Sequence, residues 1–148
     1  MNDFFETSGL QDGEIKLHLL RTAQADPVRG WLPAYHFEIH QMDGTKVGFC
    51  DLRVGHNEKS YYGGNIGYTV FPPFRGHRYG AKACMLLISL AKQHGMEQVI
   101  ITCDPDNTAS ARTCEIAGGE LLESIDLPKE SDMYAAGKRK VLVYRISL

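Results

Sequence analysis

The 148 residues suit one domain spanning 1–148, and 43% hydrophobic with 23% charged residues is the composition of a globular protein. A formal net charge of −2 argues against a general nucleic-acid binder, which carries a strong basic excess. No apolar stretch is long enough for a bilayer, and "MNDFFETSGLQDGE" lacks a signal peptide's charged-then-apolar order, so a cytoplasmic chain with no membrane partner is expected.

In chain order, "EIKLHLLRT" (14–22) alternates Ile15, Leu17 and Leu19 with Lys16 and His18, the pattern of a half-buried strand. "AYHFEIHQ" (34–41) sets Tyr35, Phe37 and Ile39 against His36, Glu38 and His40. "MDGT" is a turn signal, and "KVGFCDLRV" (46–54) reads as the returning strand of a hairpin. A polar loop, 55–64, leads to the strand "NIGYTV" (65–70), which Pro72 and Pro73 stop. From about Tyr79 to His94, Cys84, Leu87, Ile88 and Ala91 mark the buried stripe of a helix that ends at Gly95. "QVIITC" (98–103) is a buried strand, and "TASARTCEIA" (108–117) a short helix closed by Gly118 and Gly119. "ELLESID" (120–126) and "RKVLVYRIS" (139–147) are closing strands around a loop, 127–138. The strand–helix–strand step from 65 to 103 requires parallel pairing or a splay, so the expected fold is α+β with one βαβ unit.

Cys50, Cys84, Cys103 and Cys114 show no CxxC spacing and sit mostly in apolar segments, as reduced core thiols do. The six histidines are scattered and form no HxH or HExxH pair, so no metal is implied.

"FRGHRYGAKA" (74–83) joins a strand to an apolar helix. A helix start has unpaired N–H groups and a partial positive charge, glycines let the backbone approach a ligand, and Arg75 and Arg78 add full charges. That combination suits a phosphate or pyrophosphate, although a hydrated basic turn has the same composition. The phosphate loop of nucleotide hydrolases is absent, since Gly80 is followed by Ala81 and Lys82. "GGNIG" (63–67) precedes a strand rather than following one, unlike the dinucleotide fingerprint.

Two blocks together resemble the GNAT superfamily of acyl-CoA-dependent N-acetyltransferases. The family's (Gln/Arg)-x-x-Gly-x-(Gly/Ala) signature is matched by Arg75 and Gly80, with Arg78 where the middle glycine belongs. "DPDNTASARTCEIAGGELL" resembles the segment after the family's fifth strand, with Asn107, Ser110, Glu115 and Gly118 in the matching places. The likeness covers roughly residues 46 to 148. It implies a mixed, mostly antiparallel sheet splayed between strands four and five, with acetyl-CoA as co-substrate lying in the splay. It implies that backbone N–H groups of Gly76, His77, Arg78, Tyr79, Gly80 and Ala81 hold the pyrophosphate, with Arg75 among the cofactor-binding residues. Main-chain groups of Thr69 and Val70 would pair with the pantetheine arm, and Asn107 and Ser110 would contact it from the second helix.

Three departures stand beside the match. The family's tyrosine acid aligns with Cys114, which as a small core residue or a thiol acid leaves two readings; Tyr134 is a second candidate. Asp51, mid-strand, reads either as a base or amine-orienting group or as a partner of Arg53, while Glu58, Asp104 and Asp106 are weaker candidates. "AQADPVRGWLP" (23–33) cannot hold the two helices that usually wall the acceptor pocket, because Pro27, Gly30 and Pro33 interrupt it. The wall is then expected from the 55–64 loop with Tyr61 and Tyr62, the 127–138 loop or a second subunit of a homodimer, and Trp31 and the tyrosines read either as pocket aromatics or as ordinary packing. The expected function is direct acetyl transfer from acetyl-CoA to an amine; a non-catalytic acyl-CoA-binding domain and a ligand-free interaction module are the alternatives. The acceptor, a small molecule or a peptide, is not specified by the sequence.

Overall fold

The structure, a computed structural model, describes residues 4–148; residues 1–3 of the expected domain lie outside the described residues. Strands β1 (Ile15–Ala23), β2 (Ala34–Gln41), β3 (Lys46–Arg53) and β4 (Ile66–Val70) form a four-stranded sheet in that order. Between β3 and β4 runs a short helix, α1 (Glu58–Gly63), and after β4 comes α2 (Tyr79–Gln93). Then follow β5 (Gln98–Cys103), α3 (Thr108–Ile116), β6 (Glu120–Asp126), α4 (Asp132–Ala135) and β7 (Lys140–Ser147). The last three strands make a second sheet in the order β5-β7-β6. Every pair within each sheet is antiparallel. The place for a parallel neighbour, β4 beside β5, is instead the gap between sheets.

The alternation read from β1 and β2 appears as burial. Ile15, Leu17, Tyr35, Phe37 and Ile39 are buried on one face, joined by Cys50 and Leu52 of β3 and Ile66 of β4. Across this face lies α2, whose Ala83, Cys84, Leu87, Leu90 and Ala91 are fully covered. All four cysteines are buried and unpaired, as expected of core thiols. Among the described residues, no helix is long and apolar enough to cross a membrane.

Two stretches expected to be loops carry helices. Asn57 accepts from Ser60 N–H at 2.8 Å while Ser60 Oγ accepts from Asn57 N–H at 2.9 Å, and this reciprocal cap starts α1 inside 55–64. Ser131 caps α4 inside 127–138 by accepting from Tyr134 N–H. Segment 23–33 contains no helix, as its prolines require.

The sheets meet at Asn65, which is fully buried. Its N–H donates to Ile100 O at 2.6 Å, and its Oδ1 accepts from Ile100 N–H at 2.9 Å. Its Nδ2 donates to Arg53 O at 3.0 Å and Gly55 O at 2.7 Å, which ties the same junction to β3. Gly64, just before it, has a φ of 83°, and a Cβ there would lie 3.2 Å from Ile100 O. Only glycine supplies both that backbone angle and that approach. Beyond this pin the strands part.

A second buried polar contact holds the N-terminal segment. Tyr35 Oη accepts from Phe5 N–H at 2.8 Å and lies 2.6 Å from His94 Nε2, while His94 Nδ1 is buried without a partner. Burial pushes the imidazole below its ordinary value. The unfolded chain therefore takes up a proton first as pH falls.

Two outcomes are expected. Asn65→Ala removes the partners of one buried backbone group, Ile100 N–H, and two half-buried ones, Arg53 O and Gly55 O, and should cost about 2–3 kcal/mol in urea denaturation, or a melting point lower by roughly 8 °C. Stability should be full above the ordinary histidine value of about 6.5 and decline as pH drops below it, which denaturation at pH 7.5 and 5.5 would read.

Candidate functional site

The gap beyond Asn65 is lined by β4, the start of α2, and α3. Register decides which β4 groups face it. Arg53 N–H donates to Asn65 O and Phe71 N–H to Val47 O, at the two ends of the β3–β4 ladder. Ladder bonding alternates along an antiparallel pair, so the odd-numbered residues of β4 turn their main chain to β3. Of the two residues expected to offer main-chain groups to a ligand, Val70 faces the gap and Thr69 faces β3; Tyr68 shares Val70's direction. Val70 O already accepts from Arg75 Nε at 3.1 Å, so the arginine folds back over the strand's end.

The glycine loop follows a 3-10 turn, Pro72–Phe74, and ends at the N-terminus of α2. The first helical bond of α2 is Lys82 N–H to Arg78 O, and no side chain caps the helix. The N–H groups of Tyr79, Gly80 and Ala81 are therefore without helical acceptors at the mouth of the gap. Gly76 has a φ of 92° and open space around it. Arg75, Gly76, His77 and Arg78 are exposed, so the loop offers its backbone and two guanidinium groups to solvent.

Arg78 resolves the oddest departure in the sequence. It has a φ of 62°, the left-handed conformation, and is the one such non-glycine among the described residues. An arginine stands where the backbone itself wants glycine, at a cost of about 1–2 kcal/mol.

Tyr68 is a residue that the sequence reading passed over. Its ring lies against Gly80, where a Cβ would come 3.0 Å from Cε2. Its hydroxyl is buried beside Ser110 and Thr113 of α3, without a hydrogen bond of good geometry. Burial pushes it up to about 12, with those two hydroxyls pulling the other way. Tyr68 thus wedges α2 from α3 at the inner end of the gap. Asn107 caps α3 by accepting from Ser110 N–H at 3.0 Å, which leaves its Nδ2 for another partner.

The candidate acid–base residues are dispersed. Cys114 is fully buried in the core, and desolvation lifts its thiol to about 12. Tyr134 lies under the Arg139 guanidinium, 3.8 Å from its ring centroid, packed with the second core cluster. Glu58 sits in the first turn of α1, and Asp104 pairs with Lys138 at 3.2 Å. Asp51 pairs with Arg53 at 3.0 Å, the structural partner named for it in the sequence reading. Its carboxylate also occupies the space over Gly67, where a Cβ would lie 3.1 Å from Oδ1 and 3.4 Å from Oδ2. Asp51 therefore lies on the sheet face opposite α2, at the strand that edges the gap.

On that opposite face is a cavity of about 510 Å³. Arg21, Ala34, His36 and Arg53 form its floor, and Trp31, Tyr62 and Met133 are among its walls. The walls come from α1 within 55–64 and the α4 turn within 127–138, two of the sources expected to replace the missing helices, together with segment 23–33 itself. Desolvation, with Arg21 and Arg53 nearby, holds His36 below its ordinary value, against the pull of Asp51. Among the described residues, no group of three or more potential ligands could hold a metal.

A family model described as acetyltransferase (GNAT) domain matches residues 7–120. No curated protein sequence matches the chain. Among solved structures, a GNAT-family acetyltransferase from Bacillus anthracis aligns at TM-score 0.59 and 19% identity, over 76% of this chain and 65% of that one. A microcin self-immunity acetyltransferase in complex with acetyl-CoA and AMP aligns at 0.61 and 22%, over 78% and 61%. A ribosomal alpha-N-protein acetyltransferase in complex with coenzyme A aligns at 0.67 and 13%, over 93% and 96%. The chain spans less than two thirds of the length of the first two, and at these identities the likeness is one of fold.

Arg78→Gly should relieve the left-handed strain, partly offset by the greater freedom of glycine in the unfolded chain. A net gain of about 0.5–1 kcal/mol in denaturant unfolding is expected.

Proposed function

The chain belongs to the GNAT acetyltransferase family, and from that premise we propose that it transfers the acetyl group of acetyl-CoA directly to an amine. The observation that carries this reading is the uncapped start of α2 opening onto the gap between β4 and β5, with Arg75 and Arg78 beside it. Unpaired N–H groups at a helix N-terminus, with two guanidinium groups, are what a pyrophosphate needs. The Val70 N–H on the gap side is placed for a pantetheine amide, and the Nδ2 of Asn107 for a second one.

The two faces of the four-stranded sheet then take different substrates. Coenzyme enters on the α2 and α3 side. The amine arrives from the cavity on the other face and meets the thioester at the edge of β4. Its nitrogen attacks the carbonyl carbon, the C–N bond forms, and the C–S bond breaks to release CoA. The amine must shed a proton, and Asp51, beside the bare Gly67, is the carboxylate nearest that edge. Arg53 holds one of its oxygens in place. Loss of the carboxylate as acceptor should lower kcat by about a hundredfold.

The burial of Cys114 favours a second reading, coenzyme binding without turnover, because the aligned acid position offers no accessible proton donor.

Coenzyme A at about a hundred times its Kd should add about 2.7 kcal/mol of stability, seen as a raised melting temperature; no shift would remove both readings. Arg78→Glu should weaken that binding at least tenfold with the fold intact. Asp51→Asn should bind CoA normally and lose turnover in an assay of CoA release against an amine panel. Unchanged turnover would reduce Asp51 to a partner of Arg53.

A further inference from the structure

The cavity on the bare sheet face has a charge order that the acetyl-transfer reading does not use. Pairing register lines up one residue from each strand: Arg21 beside His36, His36 beside Asp51, and Asp51 beside Gly67. This row runs from the outer strand of the sheet to the edge of the gap. At one end is the carboxylate suited to an amine. At the other is Arg21, an exposed guanidinium on the cavity floor.

Arg21 differs from the other cations of the cavity. Arg53 is paired with Asp51 at 3.0 Å, and Lys59 Nζ donates to Arg29 O at 2.6 Å. Among the described residues, the Arg21 guanidinium has no ion-pair or hydrogen-bond partner. The acidic lining, Glu130 and Asp132, is exposed, one just before and one at the start of the α4 turn, on a different element of the cavity from Arg21. Burial and the two guanidinium groups disfavour the charged form of His36, between Arg21 and Asp51, against the pull of the Asp51 carboxylate. His36 separates the charges of the row without cancelling either. Trp31 and Tyr62 wall the space above.

We propose that this cavity is the acceptor site, and that its acceptor is a primary amine carrying an anionic group, carboxylate or phosphate, about 10 Å away. The proposal rests on the acetyl-transfer reading. The length follows from the sheet. Four strands in a row put about 14 Å between the backbones of Arg21 and Gly67, at about 4.8 Å per interval. The Arg21 charge acts on His36 of the next strand, and a guanidinium turned toward that strand shortens the span by about one interval. Free α-amino acids are too short to touch both ends. A three-residue extended peptide, at about 3.4 Å per residue, has the required span from its amine to its carboxylate, and so does an aliphatic ω-amino acid of similar length.

The test measures kcat/KM for ω-amino acids of increasing chain length, each against the alkylamine lacking the carboxylate. Triglycine and its C-terminal amide form the peptide arm. The expected result is a maximum near the 10 Å span, with carboxylated acceptors favoured about tenfold over their uncharged counterparts. Whichever arm carries the maximum distinguishes an aliphatic from a peptide acceptor. In Arg21→Gln, whose exposed side chain makes folding safe, the preference should fall to about one. Equal rates with and without the carboxylate, or a preference retained in Arg21→Gln, would overturn the proposal. If the protein binds CoA but acetylates no amine in either series, the acceptor assignment falls; the transferase reading falls with it only when the wider amine panel also shows no turnover. If amines are acetylated with no length dependence, only the acceptor assignment falls.

Discussion

One buried asparagine carries the architecture. Two antiparallel sheets must be joined closely enough to share a core, yet remain apart along β4 and β5. Asn65 does both, because an amide side chain can imitate a strand's hydrogen bonds for a single residue and then stop. Its main chain and Oδ1 close a pair with Ile100, and its Nδ2 ties the turn after β3. A longer run of pairing would zip the sheets together and leave no gap. With none, the backbone groups at the junction would be buried without partners.

The gap gives the sheet two functional faces. On one, α2 covers the aliphatic core and brings its unpaired N-terminus to the gap, with Tyr68 setting its spacing from α3. On the other, the lack of helices between β1 and β2 leaves polar side chains open: His36, Asp51, Arg53 and Arg21 in adjacent rows. Three short pieces of chain, none of them a long helix, make the walls there. A thioester at the β4 edge is within reach of both faces, and at Gly67 the strand adds no side chain of its own, so the Asp51 carboxylate alone lies over it.

Much of this was legible in the chain. Alternation named β1, β2 and β3 within a residue or two, because one face of each is buried and the other is wet. The stripe of α2 and the glycine loop before it were equally plain, and so was their resemblance to a family. What escaped was decided by tertiary contact. α1 and α4 are one-turn helices whose stripe is too short to read, although the Asn57–Ser60 spacing was a visible capping signal. Asn65 looked like the first residue of a strand, since nothing local distinguishes a pin from a polar strand end. Tyr68 looked like an ordinary strand aromatic. Thr69 and Val70 were paired as equals, and only register separates them. The row from Arg21 to Gly67 draws one residue from each of four strands, so no local window of sequence contains it. Arg78 was visible as an anomaly, and its φ of 62° explains why glycine would have been the easier residue.

The pin at Asn65 also makes β4 a lever. The strand runs five residues, about 16 Å, from a fixed end to a free one. Tilting one sheet on the other by a few degrees would leave the Asn65 bonds almost unstrained, yet move the Val70 end by more than an ångström. The width of the gap at its outer end therefore follows the angle between the two sheets, while the Tyr68 ring holds α2 off α3 at the inner end.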